Sequence, residues 1–184
     1  MPDTSLRHCV AAATALFFIA ALIGYLAPMT QKAMIGQELS AFFGPIKELT
    51  PPAILTLIFL NNALKSLITI LLGFFFGLIP ILFISGNGYL LGVLVSLART
   101  RLGFGEVALR ILPHALFEIP AFILAGSLGL WLGLRFFRKV RYREEFRPYL
   151  SLSLKNFFKI VVPLLLMAAL IETFITPFLA GIEG

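Results

Sequence analysis

Long apolar runs separated by short polar clusters dominate the chain, and their lengths predict membrane helices. Residues 9–27 form the first run, with Arg7 before it and Pro28 after it. Tyr25 stands where a signal-peptide cleavage site requires a small residue, so this run reads as a retained span. Residues 29–52 are mixed, with Lys32, Glu38, Lys47, Glu48, Gly44-Pro45 and Pro51-Pro52, which predicts extramembrane chain with one short interfacial helix. The next stretch, 53–85, exceeds the about 20 residues that cross hydrocarbon. Asn61, Asn62 and Lys65 interrupt it, so residues 53–60 read as a lead-in and 66–84 as the span, kinked at Pro80. Ser85-Gly86-Asn87-Gly88 has turn chemistry and predicts a break before a short segment at 87–98. A fourth span is expected at 107–134, broken near Pro113, and a fifth at 157–179, with a basic loop at 135–156 between them. The expected fold is an all-α membrane protein, a polytopic bundle of about five transmembrane helices in one integral membrane domain, residues 1–184.

Composition excludes a water-soluble core of ordinary kind. The 184 residues are 59% hydrophobic and 13% charged, against about half apolar and a quarter charged in soluble domains. A net charge of +6 raises the question of nucleic acid. The basic residues, however, concentrate between apolar runs, as Arg135, Arg138, Lys139, Arg141, Arg143, Arg147, Lys155 and Lys159 against only Glu144 and Glu145. That pattern marks a cytoplasmic, headgroup-binding segment, which makes membrane lipids the expected partner and excludes nucleic acid. Five spans then place the N-terminus in the cytoplasm and the C-terminal Gly181-Ile182-Glu183-Gly184 outside. Arg99, Arg101 and Arg110 flank an outer loop against this trend, but the 135–159 segment carries the larger bias. Cys9 is the single cysteine, so no internal disulfide can form.

Three small-residue pairs, Gly73/Gly77, Gly88/Gly92 and Gly129/Gly133, have the spacing that lets membrane helices approach closely. The polar residues of the apolar stretches are Asn61, Asn62, Lys65, Asn87, His114, Glu118 and Glu172. An ionisable group costs roughly 2.5–3.5 kcal/mol to insert in hydrocarbon, so these side chains are expected to face the bundle and find partners. All but Glu172 form the candidate intramembrane cluster. His114 and Glu118 lie four apart, on one helical face. They supply two metal ligands where a site needs three or more, so neither metal nor cofactor is expected. No Gly-x-Ser-x-Gly, His-Glu-x-x-His or Walker pattern is present, and no catalytic residue is assigned.

An Asn-Asn pair opening a Gly-rich span, an Asn-Gly opening the next, and Pro-His-x-x-x-Glu in the fourth resemble the stage II sporulation protein M family. Here these are Asn61-Asn62 with Gly73/Gly77, Asn87-Gly88, and Pro113-His114 through Glu118. The resemblance covers residues 59–134, including Ala125-Gly126 and Gly129-Leu130. Ala115 departs from the family's Gly after the His, and Lys65 stands in for an Arg near the Asn pair. The resemblance implies a plasma-membrane scaffold subunit, associated in sporulating bacteria with peptidoglycan-remodelling partners and not itself a hydrolase; sporulation of the host does not follow. The expected function is therefore a non-enzymatic scaffold that binds other membrane proteins or itself. The alternative is a small-solute or proton-coupled transporter or channel using the intramembrane polar residues.

Overall fold

The computed structural model describes residues 4–44 and 49–179. The sequence expectations for Pro45, Lys47, Glu48 and Gly181 through Gly184 lie outside the described residues. Among the described residues the fold is all helical: α1 Thr4–Leu26, α2 Met29–Phe43, α3 Pro51–Leu71, α4 Leu78–Arg99, α5 Phe104–Tyr142 and α6 Arg147–Leu179. All but α2 are long and apolar enough to cross a membrane, making a five-span bundle. α2 lies beside the C-terminal end of α4, where the buried Lys32 Nζ donates to Ser96 Oγ at 2.8 Å.

Helix boundaries differ from the sequence expectation, each for a local reason. The second span, α3, begins at Pro51 and not near residue 66, since Pro51-Pro52 occupy the first turn, where a missing N–H is harmless. It ends in a 3-10 turn, Leu72–Phe74, followed by Phe76 and Gly77, both with positive φ (51° and 79°), which reverse the chain into α4. The break therefore falls at residues 75–77 and not at 85–88. Pro80 sits in the first turn of α4 and imposes no mid-helix kink. Ser85-Gly86-Asn87-Gly88 is helix interior, because in hydrocarbon a turn would leave backbone groups with no water to satisfy them. Ser85 Oγ and Asn87 Nδ2 donate to the carbonyls of Ile81 and Phe83 in their own helix, both at 2.8 Å.

The fourth span, α5, continues through Pro113 and Pro120 without a break and runs past residue 134 to Tyr142, 39 residues in all. The expected loop at 135–156 is thus mostly helix. Its non-helical part is residues 143–146, begun by Arg143 in the left-handed conformation. α6 contains two π-helical segments, Phe157–Val161 and Ile171–Ile175. Each spans the carbonyl four residues before a proline, Lys159 for Pro163 and Glu172's neighbour Thr173 for Pro177. The proline ring would clash with that carbonyl, and a wider turn relieves it.

α5 is the hub: its apolar window is 56% buried, against 22–28% for the other four spans. On one side Ile70, Leu128, Leu132, Phe157, Val161 and Leu165 join α3, α5 and α6; on the other, Ala13, Phe17 and Ile84 join α1 and α4. The three glycine pairs lie in these interfaces. Gly73 faces the Gly129 backbone, Gly133 faces Gly73 and Gly77, and Gly88 and Gly92 face the backbone of Phe17 and Ala21 on α1. Gly24, which the spacing rule does not single out, meets the Tyr89 carbonyl in the same way.

A Cβ at Gly92 would collide with the Ala21 carbonyl oxygen, which is backbone and cannot rotate aside, whereas a Cβ at Gly86 meets nothing within 4 Å. Gly92→Ala should therefore destabilise the bundle by about 1–3 kcal/mol through overpacking. Gly86→Ala should be neutral or stabilising by up to about 1 kcal/mol, as a helix-interior Gly→Ala change. Thermal unfolding of both variants in detergent checks the contrast.

Candidate intramembrane polar site

α3 and α5 run side by side, and the apolar residues on either side of Asn62 and Glu118 bring the two polar groups face to face. Asn62 Nδ2 donates to Glu118 Oε1 at 2.8 Å, a direct interhelical bond between half-buried groups. Asn61 Nδ2 extends the chain by donating to Asn62 Oδ1 at 3.3 Å. Lys65 on α3 and Glu172 on α6 lie close enough for their charges to act on the Glu118 carboxylate. The π-helical turn carrying Glu172 also holds Thr173, and the next turn holds Thr176. Both hydroxyls are buried without a hydrogen-bond partner among the described residues, as is His114 Nδ1.

The structure thus joins Asn61, Asn62 and Glu118 by hydrogen bonds, with Lys65 and Glu172 in electrostatic range. His114 lies one turn before Glu118 on α5 but makes no bond through Nδ1. Asn87 is engaged with the Phe83 carbonyl of its own helix. The glycine pairs are packing contacts and contribute no polar group. Among the described residues no three His, Cys, Asp or Glu side chains group as metal ligands do.

A second constellation, at the opposite end of α5, was hidden by its position in a basic stretch. Arg135 is only 8% exposed, so it is not a solvated loop residue. Its guanidinium donates to Ser5 Oγ at 3.2 Å and Tyr149 Oη at 3.3 Å and lies 4.3 Å from the Tyr149 ring centroid. Trp131 Nε1 also donates to Ser5 Oγ, at 3.0 Å, and Trp131 meets Tyr149 edge to face. The start of α1, the end of α5 and the start of α6 are thereby tied together. The planar cation suits this stacked, multiply bonded position better than a lysine would. The readable signal was the Trp131/Arg135 spacing of four, which puts ring and cation on one face.

A family profile described as Stage II sporulation protein M matches residues 13–177. An uncharacterized protein of Methanocaldococcus jannaschii is 29% identical over 170 residues, covering 90% of this chain and 92% of that protein. No solved structure matches.

Glu118 loses its interhelical donor in Asn62→Ala, and Asn62 loses its acceptor in Glu118→Ala. The double-mutant cycle should give a coupling energy of about 1 kcal/mol, the usual size of a polar contact between membrane helices. Thermal unfolding of the two single variants and the double variant in one detergent measures it. Strict additivity would mean that the pair does not stabilise the bundle.

Proposed function

The chain belongs to the stage II sporulation protein M family, and from that premise we propose that it is a non-enzymatic scaffold of the cell membrane. In this reading the intramembrane polar groups lock the bundle, and its outward faces bind other membrane proteins. The observation that carries the reading is the direct Asn62–Glu118 bond, which commits this part of the polar cluster to holding α3 against α5. The Arg135 constellation does the same at the other end. The spans around α5 keep most of their apolar surface outward, which supports partners within the membrane. The basic end, with Arg138, Lys139, Arg141 and Arg143 exposed, lies in the cytoplasm and meets anionic headgroups. The N-terminus is then cytoplasmic and the C-terminus outside.

A proton-coupled path is the second reading, and one observation favours it: His114 Nδ1, one turn from Glu118, is buried without a partner. Glu118→Gln separates the two, because it keeps shape and hydrogen bonding while removing the titratable proton. A scaffold predicts that the Gln form inserts, stays stable in detergent and retains its bound partners, while Glu118→Ala loosens the bundle by roughly 1 kcal/mol. Thermal stability, pull-down and liposome flux on the three proteins decide the matter. A folded Glu118→Gln protein that has lost a pH-driven flux shown by the parent contradicts the scaffold.

Orientation has its own check. Arg143→Cys on a Cys9→Ala background should resist an impermeant thiol reagent in intact cells and react once the membrane is permeabilised. Rapid labelling in intact cells would reverse the topology.

A further inference from the structure

The outward face of α3 is an unusual surface for lipid. Leu57, Asn61, Leu64, Ile68 and Leu71 recur at spacings of three and four, Lys65 lies four residues from Asn61, and all six are exposed. They form one stripe along the helix. At about 1.5 Å per residue, Lys65 lies about 21 Å from Pro51 and about 14 Å from Phe74, the ends of this span. A four-carbon stem does not bring its ammonium clear of the hydrocarbon from that depth. Lys65 makes no hydrogen bond or close ion pair to the described residues; Glu118 acts on it only at a distance. One turn away, Asn61 is exposed, with its amide donating only to Asn62. A cation and an amide side by side on an outward mid-membrane face are costly in lipid, and they are ready-made contacts for another polar helix.

We propose that this α3 face docks a transmembrane helix of a different protein, one that carries an Asp or Glu at mid-depth to pair with Lys65 and Asn61. The proposal rests on the scaffold reading and names one of its contact surfaces. Charge selects the occupant. A second copy of this chain would have to present an outward carboxylate at the same depth. Among the described residues the acidic side chains deep in the spans are Glu118 and Glu172, both half-buried, and Glu118 is already engaged by Asn62. The lysine stripe therefore lacks a self-complementary match, and a foreign acidic helix supplies it. The flanking leucines and isoleucine give the apolar contact, and the Lys65 pair sets the depth and register of the docked helix.

The test places the full-length protein, donor-labelled, in phosphatidylcholine proteoliposomes with acceptor-labelled synthetic helices of about 20 Leu and Ala residues bearing a central Glu, Gln or Lys. Energy transfer should show the central-Glu helix associating about tenfold more tightly than the central-Gln helix, the order expected for a polar contact in lipid. Lys65→Leu, which places an ordinary membrane residue outward, should insert normally and erase that difference. Lys65→Glu should move the preference to the central-Lys helix. No Glu-over-Gln preference with the parent, or a preference that survives Lys65→Leu, overturns the proposal. Energy transfer between two differently labelled copies of the parent that disappears in Lys65→Leu also overturns it, since the occupant would be a second copy. Pull-down from cells keeps the two readings apart. Partners retained equally by parent and Lys65→Leu preserve the scaffold and remove the α3 site, whereas a peptide preference in a chain that retains no partner removes the scaffold and keeps the site.

Discussion

Membrane helices gain little from burying apolar side chains against one another, because lipid tails are as apolar as leucine; they associate through close packing and polar contacts. Everything else in this structure depends on how α5 meets that constraint. Gly129 and Gly133 let the backbone of Gly73 and Gly77 approach it, and Gly126 opens a place for Ile84. Across the bundle, Gly88 and Gly92 bring α4 against α1. Only with the backbones this near do short polar side chains such as Asn62 and Glu118 reach each other directly. The polar locks follow from the glycine contacts, and they tie α5 at two levels, Glu118 in mid-span and Arg135 toward its C-terminal end.

The fold class, the five spans and the family were legible in the sequence, since hydropathy and motif spacing record them without knowledge of neighbours. Helix limits were less so. Gly86 and Asn87-Gly88 have turn chemistry in water, but water is what a turn needs, and inside hydrocarbon the same residues stay helical, with Gly88 alone using its small size for packing. The true break at Phe76-Gly77 lay within an apolar string whose two glycines, Gly73 and Gly77, looked like a packing pair. Pro113 signalled a break that the long helix absorbs, while Pro163 and Pro177 left π-helical turns that no periodicity argument would place.

The candidate site was legible by elimination, because ionisable residues in apolar stretches are few. The pairing of Asn62 with Glu118 was not: it depends on the lateral register of α3 and α5, set by Gly73 on Gly129. Asn87 illustrates the converse. Its residue type qualified it for the cluster, yet its amide is engaged with its own helix. Arg135 was read with its basic neighbours because local composition hides burial, and only the return of α1 and α6 to that end of α5 gives it partners.

On the scaffold reading, the polar interior between α3, α5 and α6 joins helices and holds no water path. Ser66, fully buried one turn beyond Asn62, and Thr173, whose hydroxyl is buried beside Glu172, sit on α3 and α6 respectively. Each can be replaced by cysteine with little change in size, on a Cys9→Ala background. The most direct measurement is the reaction of these two cysteines with a small charged thiol reagent in proteoliposomes, applied from each side, against Leu102→Cys outside the spans as reference. The scaffold reading predicts that both are protected by about two orders of magnitude relative to residue 102, because a charged reagent in hydrocarbon costs roughly 2.5–3.5 kcal/mol. Reaction at a rate comparable to residue 102, from either side, would show a wet path through the bundle and contradict it.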